Sequence, residues 1–165
     1  MKLASFKRQG TDKLAFYHDN KLFPVEDLGV DLPSNMADFL KGEDANFKKA
    51  QEVNNQIKDG QFADKAFPFN QAEILSPVPH PTSCRDAYAF RQHVATARAN
   101  RGVDMIPEFD QFPVFYFTNH NTSYGPGEVK LMPDHFHKLD FELEIAMVVG
   151  KQGRNIKASE ADQYI

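Results

Sequence analysis

Tryptophan is absent from this chain of 165 residues, and cysteine occurs once, at Cys84. A lone cysteine excludes an internal disulfide, so the expected compartment is the reducing cytoplasm. There is no excess of basic residues: 19 Lys and Arg stand against 23 Asp and Glu, for a formal charge of −4. Nucleic-acid binders carry a basic stripe or patch, so no nucleic-acid partner is expected. No apolar run reaches the roughly 20 residues that a membrane helix needs. The opening Met1-Lys2-Leu3-Ala4-Ser5-Phe6-Lys7-Arg8 lacks the apolar stretch of a secretory signal. What the chain does have is phenylalanine, in 15 copies, within a hydrophobic content of 41%. That balance is ordinary for a globular protein and predicts a core rich in Phe.

Two segments differ in character. Residues 1–73 read as a small lobe. Leu3-Ala4-Ser5-Phe6, Leu14-Ala15-Phe16-Tyr17 and Leu22-Phe23-Pro24-Val25 are short apolar runs separated by Gly and Asn turns, which predicts a small antiparallel sheet. Ser34 or Asn35 then caps a helix through Phe39-Leu40. A polar helix around residues 46–58 follows, with only Phe47, Ala50, Val53 and Ile57 as an apolar stripe. No catalytic constellation is visible in this lobe. Pro77, Pro79 and Pro81 then enforce an extended linker around Val78 and His80. The second segment, residues 74–165, holds the interpretable chemistry.

Composition from Cys84 to Arg98 is rich in alanine, follows Ser83 and precedes Gly102, which predicts a helix of about four turns. Asp86 and His93 are seven residues apart, so such a helix presents them on nearly one face. A carboxylate and an imidazole there suit a metal and a general base. The structural alternative is a capping pattern made by Ser83 and Asp86, with His93 as a partly buried helix residue. Cys84 reads as a small core residue.

The run Leu139-Asp140-Phe141-Glu142-Leu143-Glu144-Ile145-Ala146-Met147-Val148-Val149 alternates as a strand. Phe141, Leu143, Ile145, Met147 and Val149 take one face. Glu142 and Glu144 share the other, which turns apolar beyond them as a covered face would. Two carboxylates about 6.6 Å apart along a strand repel unless something positive lies near. A hard divalent cation, Lys138 or Arg154 would each satisfy that need.

Taken together, these pieces resemble the fumarylacetoacetate hydrolase family. The resemblance is carried by the Pro-rich entry at 74–79, Asp86-Ala87-Tyr88-Ala89-Phe90-Arg91-Gln92-His93, and Phe112-Pro113-Val114-Phe115-Tyr116-Phe117. Further along come Gly125-Pro126-Gly127-Glu128-Val129, the acidic run at 139–144, and Val148-Val149-Gly150-Lys151. It implies an α+β, mainly β fold: a small N-terminal antiparallel lobe followed by the first half of the family's mixed β-roll. It also implies a homodimer acting on a small-molecule 1,3-diketone acid, such as fumarylacetoacetate or an acylpyruvate, in aromatic amino acid catabolism. Metal ligands would be Asp86, Glu142 and Glu144, holding Mg²⁺, Ca²⁺ or Mn²⁺, since oxygen donors favour hard ions. His93 would be the catalytic base. Tyr88, Tyr116 and Arg101 (or Arg98) would contact substrate. The same fold also hosts hydratases, isomerases and decarboxylases of 2-oxo acids, and His93 favours hydrolysis because an activated water is then needed. A non-catalytic module is the reading from another class.

Family members run about twice this length, with a fourth carboxylate ligand further along. A strand at 141–149 needs cover on both faces, and residues 158–165 offer only about two helical turns. Residues 1–165 expressed alone are therefore expected to be poorly soluble or loosely packed, and inactive on acylpyruvates even with metal present. Thermal unfolding and turnover, compared with a full-length natural chain, measure this. A cooperative melt with full activity from 1–165 would overturn the expectation.

Overall fold

The computed structural model describes residues 1–132 and 137–165 and mixes helix with strand. It divides into two compact units, Met1–Pro79 with Tyr124–Ile165, and His80–Ser123. Among the described residues no helix is long and apolar enough to cross a membrane.

The first unit is built on a five-stranded antiparallel sheet. Its strands are β1 (Leu3–Arg8), β2 (Thr11–His18), β3 (Lys21–Pro24), β4 (Phe67–Pro68) and β5 (Glu73–Ile74), in the order β4-β3-β2-β1-β5. Two-residue turns join the first three. Gln9-Gly10 have φ of 50° and 77°, and Asp19-Asn20 have φ of 47° and 58°. Positive φ at both central residues matches the right-handed twist of the flanking strands, and Gly, Asn and Asp tolerate it best.

Alternation along β2 divides the core in two. Leu14 and Phe16 face Phe23, Phe39, Ala50, Val53 and Ile57, whereas Ala15 joins Phe6 and Leu22 on the opposite side. The first face is covered by α1 (Met36–Lys41) and α2 (Glu43–Lys58). Asn35 caps α1 as expected: its side chain accepts a hydrogen bond from the Asp38 N–H at 2.9 Å. The stripe expected on α2 is also present, with Ala50, Val53 and Ile57 buried and Phe47 packed edge-on to Phe39 at 5.2 Å. The second face is closed by Phe67, which lies 5.7 Å from Phe6, and by Phe69, edge-on to Tyr17 at 5.2 Å. The buried Ser5 hydroxyl donates to the Pro77 carbonyl at 2.8 Å, tying the Pro-rich linker to β1.

Two expectations for the later chain fail. Residues 84–98 do not form one helix. Cys84–Ala87 is a strand, β6, paired antiparallel with β7 (Phe115–Thr118), and α3 runs only from Arg91 to Asn100. The aromatic run in β7 offers a ladder for Cys84–Ala87, and tertiary pairing outweighs local helix propensity. Cys84 is accordingly exposed and free rather than a core residue. The expected stop at Gly102 is present: it has φ of 69° and donates to Ala99 O at 2.9 Å, while Val103 N–H donates to Arg98 O at 3.1 Å. This is a Schellman closure.

The second failure is the acidic run. Residues 139–149 take no regular structure and are exposed, with Phe141 at 86%, Leu143 at 95% and Ile145 at 91%. Just after them, Lys151 Nζ meets Asp44 at 2.8 Å and Gly150 N–H donates to Tyr164 O at 2.9 Å. The closing turn Ala158–Tyr164 is 3₁₀.

The sheet's stability rests on its Phe core. Phe39→Ala, at a site with no exposure, is expected to cost about 3–5 kcal/mol, and Asn35→Ala about 1 kcal/mol. Denaturant unfolding followed by circular dichroism measures both, and the Phe39 loss must be the larger.

Candidate functional site

The β6–β7 ribbon is where candidate residues come together. Its register pairs Asp86 with Tyr116 and Arg85 with Phe117. Directly opposed residues share a face, and successive residues alternate between faces. Asp86 and Tyr116 therefore stand side by side. Tyr88 N–H donates to Val114 O at 3.1 Å, extending the ladder by one step, so alternation brings Tyr88 to the same face. Three of the residues nominated from sequence thus occupy one ribbon face, a half-buried carboxylate between two exposed phenols.

The other ribbon face is held by a stack that sequence reading did not anticipate. The Arg85 guanidinium lies 4.7 Å from the Phe117 ring and 5.7 Å from Phe115, and these two rings meet edge-on at 5.7 Å. Arg85 also donates to Ser83 Oγ at 2.9 Å. Phe–x–Phe in a strand is the only sequence signal for this stack.

Past Tyr88 the chain turns into α3. His93, its third residue, is exposed and lines an open depression of about 560 Å³ with Ala89, Phe90, Arg91, Gln92 and Thr96. That volume suits a small organic molecule. Arg91 is held by Asp110 through two hydrogen bonds, Nε to Oδ1 at 2.9 Å and Nη2 to Oδ2 at 3.1 Å. This forked pair links the start of α3 to the 3₁₀ turn Pro107–Asp110. Hydrogen bonding to Arg91 pulls the Asp110 carboxyl below the usual aspartate range and raises Arg91. Nineteen residues separate the two, beyond any local sequence rule.

Arg101 and Arg98 do not join the depression. Arg101 Nε donates to Ala97 O at 3.1 Å, and Arg98 Nε donates to Asp104 O. Both fasten the C-terminal end of α3, Arg98 about 7.5 Å and Arg101 about 12 Å along the helix from His93 at 1.5 Å rise per residue. Glu142 and Glu144 belong to the other unit and are exposed. Among the described residues no group of three or more His, Cys, Asp or Glu forms a metal-binding cluster. By donor chemistry alone, three carboxylates suit a hard divalent ion.

Comparison with known proteins settles the family. The profile described as "Fumarylacetoacetate (FAA) hydrolase C-terminal" matches residues 82–165. The chain belongs to the fumarylacetoacetate hydrolase family. It is similar to a Dictyostelium discoideum protein named fumarylacetoacetate hydrolase domain-containing protein 2 homolog, with 23% identity over 89% of this chain and 44% of that one. It is 25% identical to the mitochondrial oxaloacetate tautomerase Fahd2a of Rattus norvegicus, over 81% of this chain and 39% of the relative. The human mitochondrial oxaloacetate tautomerase FAHD2B is 23% identical over 81% of this chain and 38% of its own. The chain thus spans less than half the length of these relatives.

The Arg91–Asp110 pair yields a pH prediction. A carboxyl whose folded value is depressed contributes stability above its unfolded value, and that contribution fades as pH falls through the folded one. Both groups are exposed, so solvent screening keeps the contribution small. Carboxyl NMR titration is expected to place Asp110 below ordinary aspartates, and Arg91→Gln to return it to the ordinary range. An Asp110 midpoint unmoved by Arg91→Gln would dissolve the pair.

Proposed function

We propose that this chain is the metal-binding part of a fumarylacetoacetate-hydrolase-like enzyme that works through an enolate on a small 1,3-dicarbonyl or 2-oxo acid. In this reading, residues 74–165 form the first half of the family's mixed β-roll, and the enzyme is a homodimer. The observation that carries it is the shared ribbon face of Asp86, Tyr88 and Tyr116. A carboxylate between two phenols offers one group for a cation and two O–H donors for substrate oxygens. Asp86, Glu142 and Glu144 would hold the ion, Mg²⁺ or else Ca²⁺ or Mn²⁺. When bound, such an ion supplies Lewis-acid polarisation of a carbonyl and stabilises developing enolate charge.

The remaining work belongs to the side chains. His93 takes a proton from water at a ring nitrogen, and the resulting hydroxide adds to the substrate's acyl carbonyl. The carbon–carbon bond then breaks, its electron pair leaving as the enolate of the 2-oxo acid, which a proton from the imidazolium completes. An acylpyruvate and water give a carboxylic acid and pyruvate. Tyr88 and Tyr116 donate to the substrate's carboxylate or oxyanion, and Arg101 or Arg98 would do so through guanidinium N–H groups other than the Nε that meets a backbone carbonyl.

A second reaction on the same site has its own support. The rat and human relatives are named oxaloacetate tautomerases. Tautomerisation moves a proton between carbon and oxygen and consumes no water, so His93 would shuttle that proton rather than activate a nucleophile. The names of those relatives also place them in mitochondria, and a single cysteine suits that reducing interior or the cytoplasm alike.

Two variants of the full-length protein test the proposal. Glu142→Gln is expected to weaken Mg²⁺ or Mn²⁺ binding strongly in calorimetric titration, and unchanged affinity ends the metal assignment. His93→Ala is expected to lower turnover by about 10²–10⁴-fold while leaving metal affinity nearly intact. Pyruvate release from an acylpyruvate against loss of oxaloacetate enol absorbance decides between cleavage and tautomerisation.

A further inference from the structure

The compact unit His80–Ser123 contains four arginines and no lysine. Any permanent positive charge that this unit offers an acid substrate is therefore carried by Arg85, Arg91, Arg98 or Arg101. Three of the four are placed elsewhere. Arg85 lies over the Phe115 and Phe117 rings, on the ribbon face opposite Asp86. Arg98 and Arg101 meet the Asp104 and Ala97 carbonyls near the end of α3. Arg91 is the one that lines the depression shared with His93. Among the described residues no carboxylate lines that depression, and its other polar side chains, Gln92 and Thr96, both carry donors.

The fork to Asp110 prepares Arg91 for a second oxyanion. It takes one N–H from Nε and one from Nη2, two of the five guanidinium N–H groups, and leaves three. It also fixes the guanidinium plane, so less side-chain freedom is lost when another carboxylate meets the remaining edge. Tyr88 lies three residues before Arg91, a backbone span of at most about 11 Å, so one small acid can reach both. We infer that Arg91 binds the carboxylate of the acid substrate beside His93, leaving Tyr88 and Tyr116 to its carbonyl oxygens. This rests on the enolate reading proposed above, and it moves to Arg91 the role expected of Arg101 or Arg98. A substrate without a free carboxylate loses the contact, so the site separates acids from their esters.

Two measurements on the full-length protein with Mg²⁺ present test the assignment. Arginine side chains are labelled with ¹⁵N, and pyruvate and methyl pyruvate are titrated separately. The Arg91 Nε–H signal, assigned by its loss in Arg91→Lys, is expected to shift saturably with pyruvate and not with the ester. Turnover is then compared between acid and methyl ester, for acetylpyruvate cleavage or oxaloacetate tautomerisation, whichever the wild type performs. Arg91→Gln is expected to lower kcat/KM for the acid about tenfold and to leave the ester unchanged. Asp110→Asn breaks the fork but keeps the arginine, so it retains the preference for the acid. Equal loss on acid and ester, or an Asp110→Asn variant that matches Arg91→Gln, makes Arg91 a structural residue and overturns the inference. Acid-selective loss in Arg98→Gln or Arg101→Gln in place of Arg91→Gln overturns it too. Turnover with no pyruvate shift at Arg91 ends the inference and leaves the enolate reading standing. A pyruvate shift at Arg91 without either reaction supports the carboxylate contact and ends that reading instead.

Discussion

A strand exists only where a neighbour accepts its N–H groups and donates to its carbonyls, and that pairing requirement governs this chain. Within the five-stranded sheet every strand has a neighbour, and alternation along β2 sorts Leu14 and Phe16 from Ala15. The same requirement turns Cys84–Ala87 into a strand, because Phe115–Thr118 offers it a ladder. At 139–149 the alternation is equally regular, yet no ladder forms among the described residues and the segment stays irregular. Side-chain periodicity sets which face a residue would take. Backbone pairing decides whether there is a face at all.

This difference explains how much was legible in advance. The hairpins were readable because their turns are local: Gln9-Gly10 and Asp19-Asn20 need only their own positive φ values. Helices α1 and α2 were readable because the N-cap of one and the apolar stripe of the other are each local to their own helix. Residues 84–90 were misread for the opposite reason. Alanine content and Ser83 argue locally for helix, while the partner that decides the matter lies about thirty residues on. The Arg91–Asp110 fork and the stacking of Arg85 on Phe117 share that long reach.

A strand rather than a helix at Asp86 changes the geometry of the candidate site. On a helix, Asp86 and His93 would have shared a face two turns apart. On the ribbon, Asp86 instead stands opposite Tyr116 and follows the alternation to Tyr88, while His93 lies in the first turn of a separate helix beside its own depression. A rigid paired ladder is a better support for a ligand and its neighbouring donors than a helix end, because register fixes all three side chains at once. His93 depends on a different support. Its backbone sits two residues past Arg91, so the forked pair with Asp110 holds the turn that presents it.

The acidic run shows what a site residue lacks when its element is unpaired. Glu142 and Glu144 alternate with Phe141, Leu143 and Ile145, all of them largely exposed. Apolar side chains of this size contribute stability only on leaving water, at about 25 cal/mol per Å² of area removed, and here that contribution is not drawn upon. The two carboxylates are bound to the same event. Pairing of 139–149 into a sheet would bury the apolar face, fix the spacing of Glu142 and Glu144 at one strand repeat, and bring like charges together in a less polar setting where a cation has most to offset. On the proposed metal assignment, folding of this segment and metal binding would be linked, since whichever forms first would lower the cost of the other.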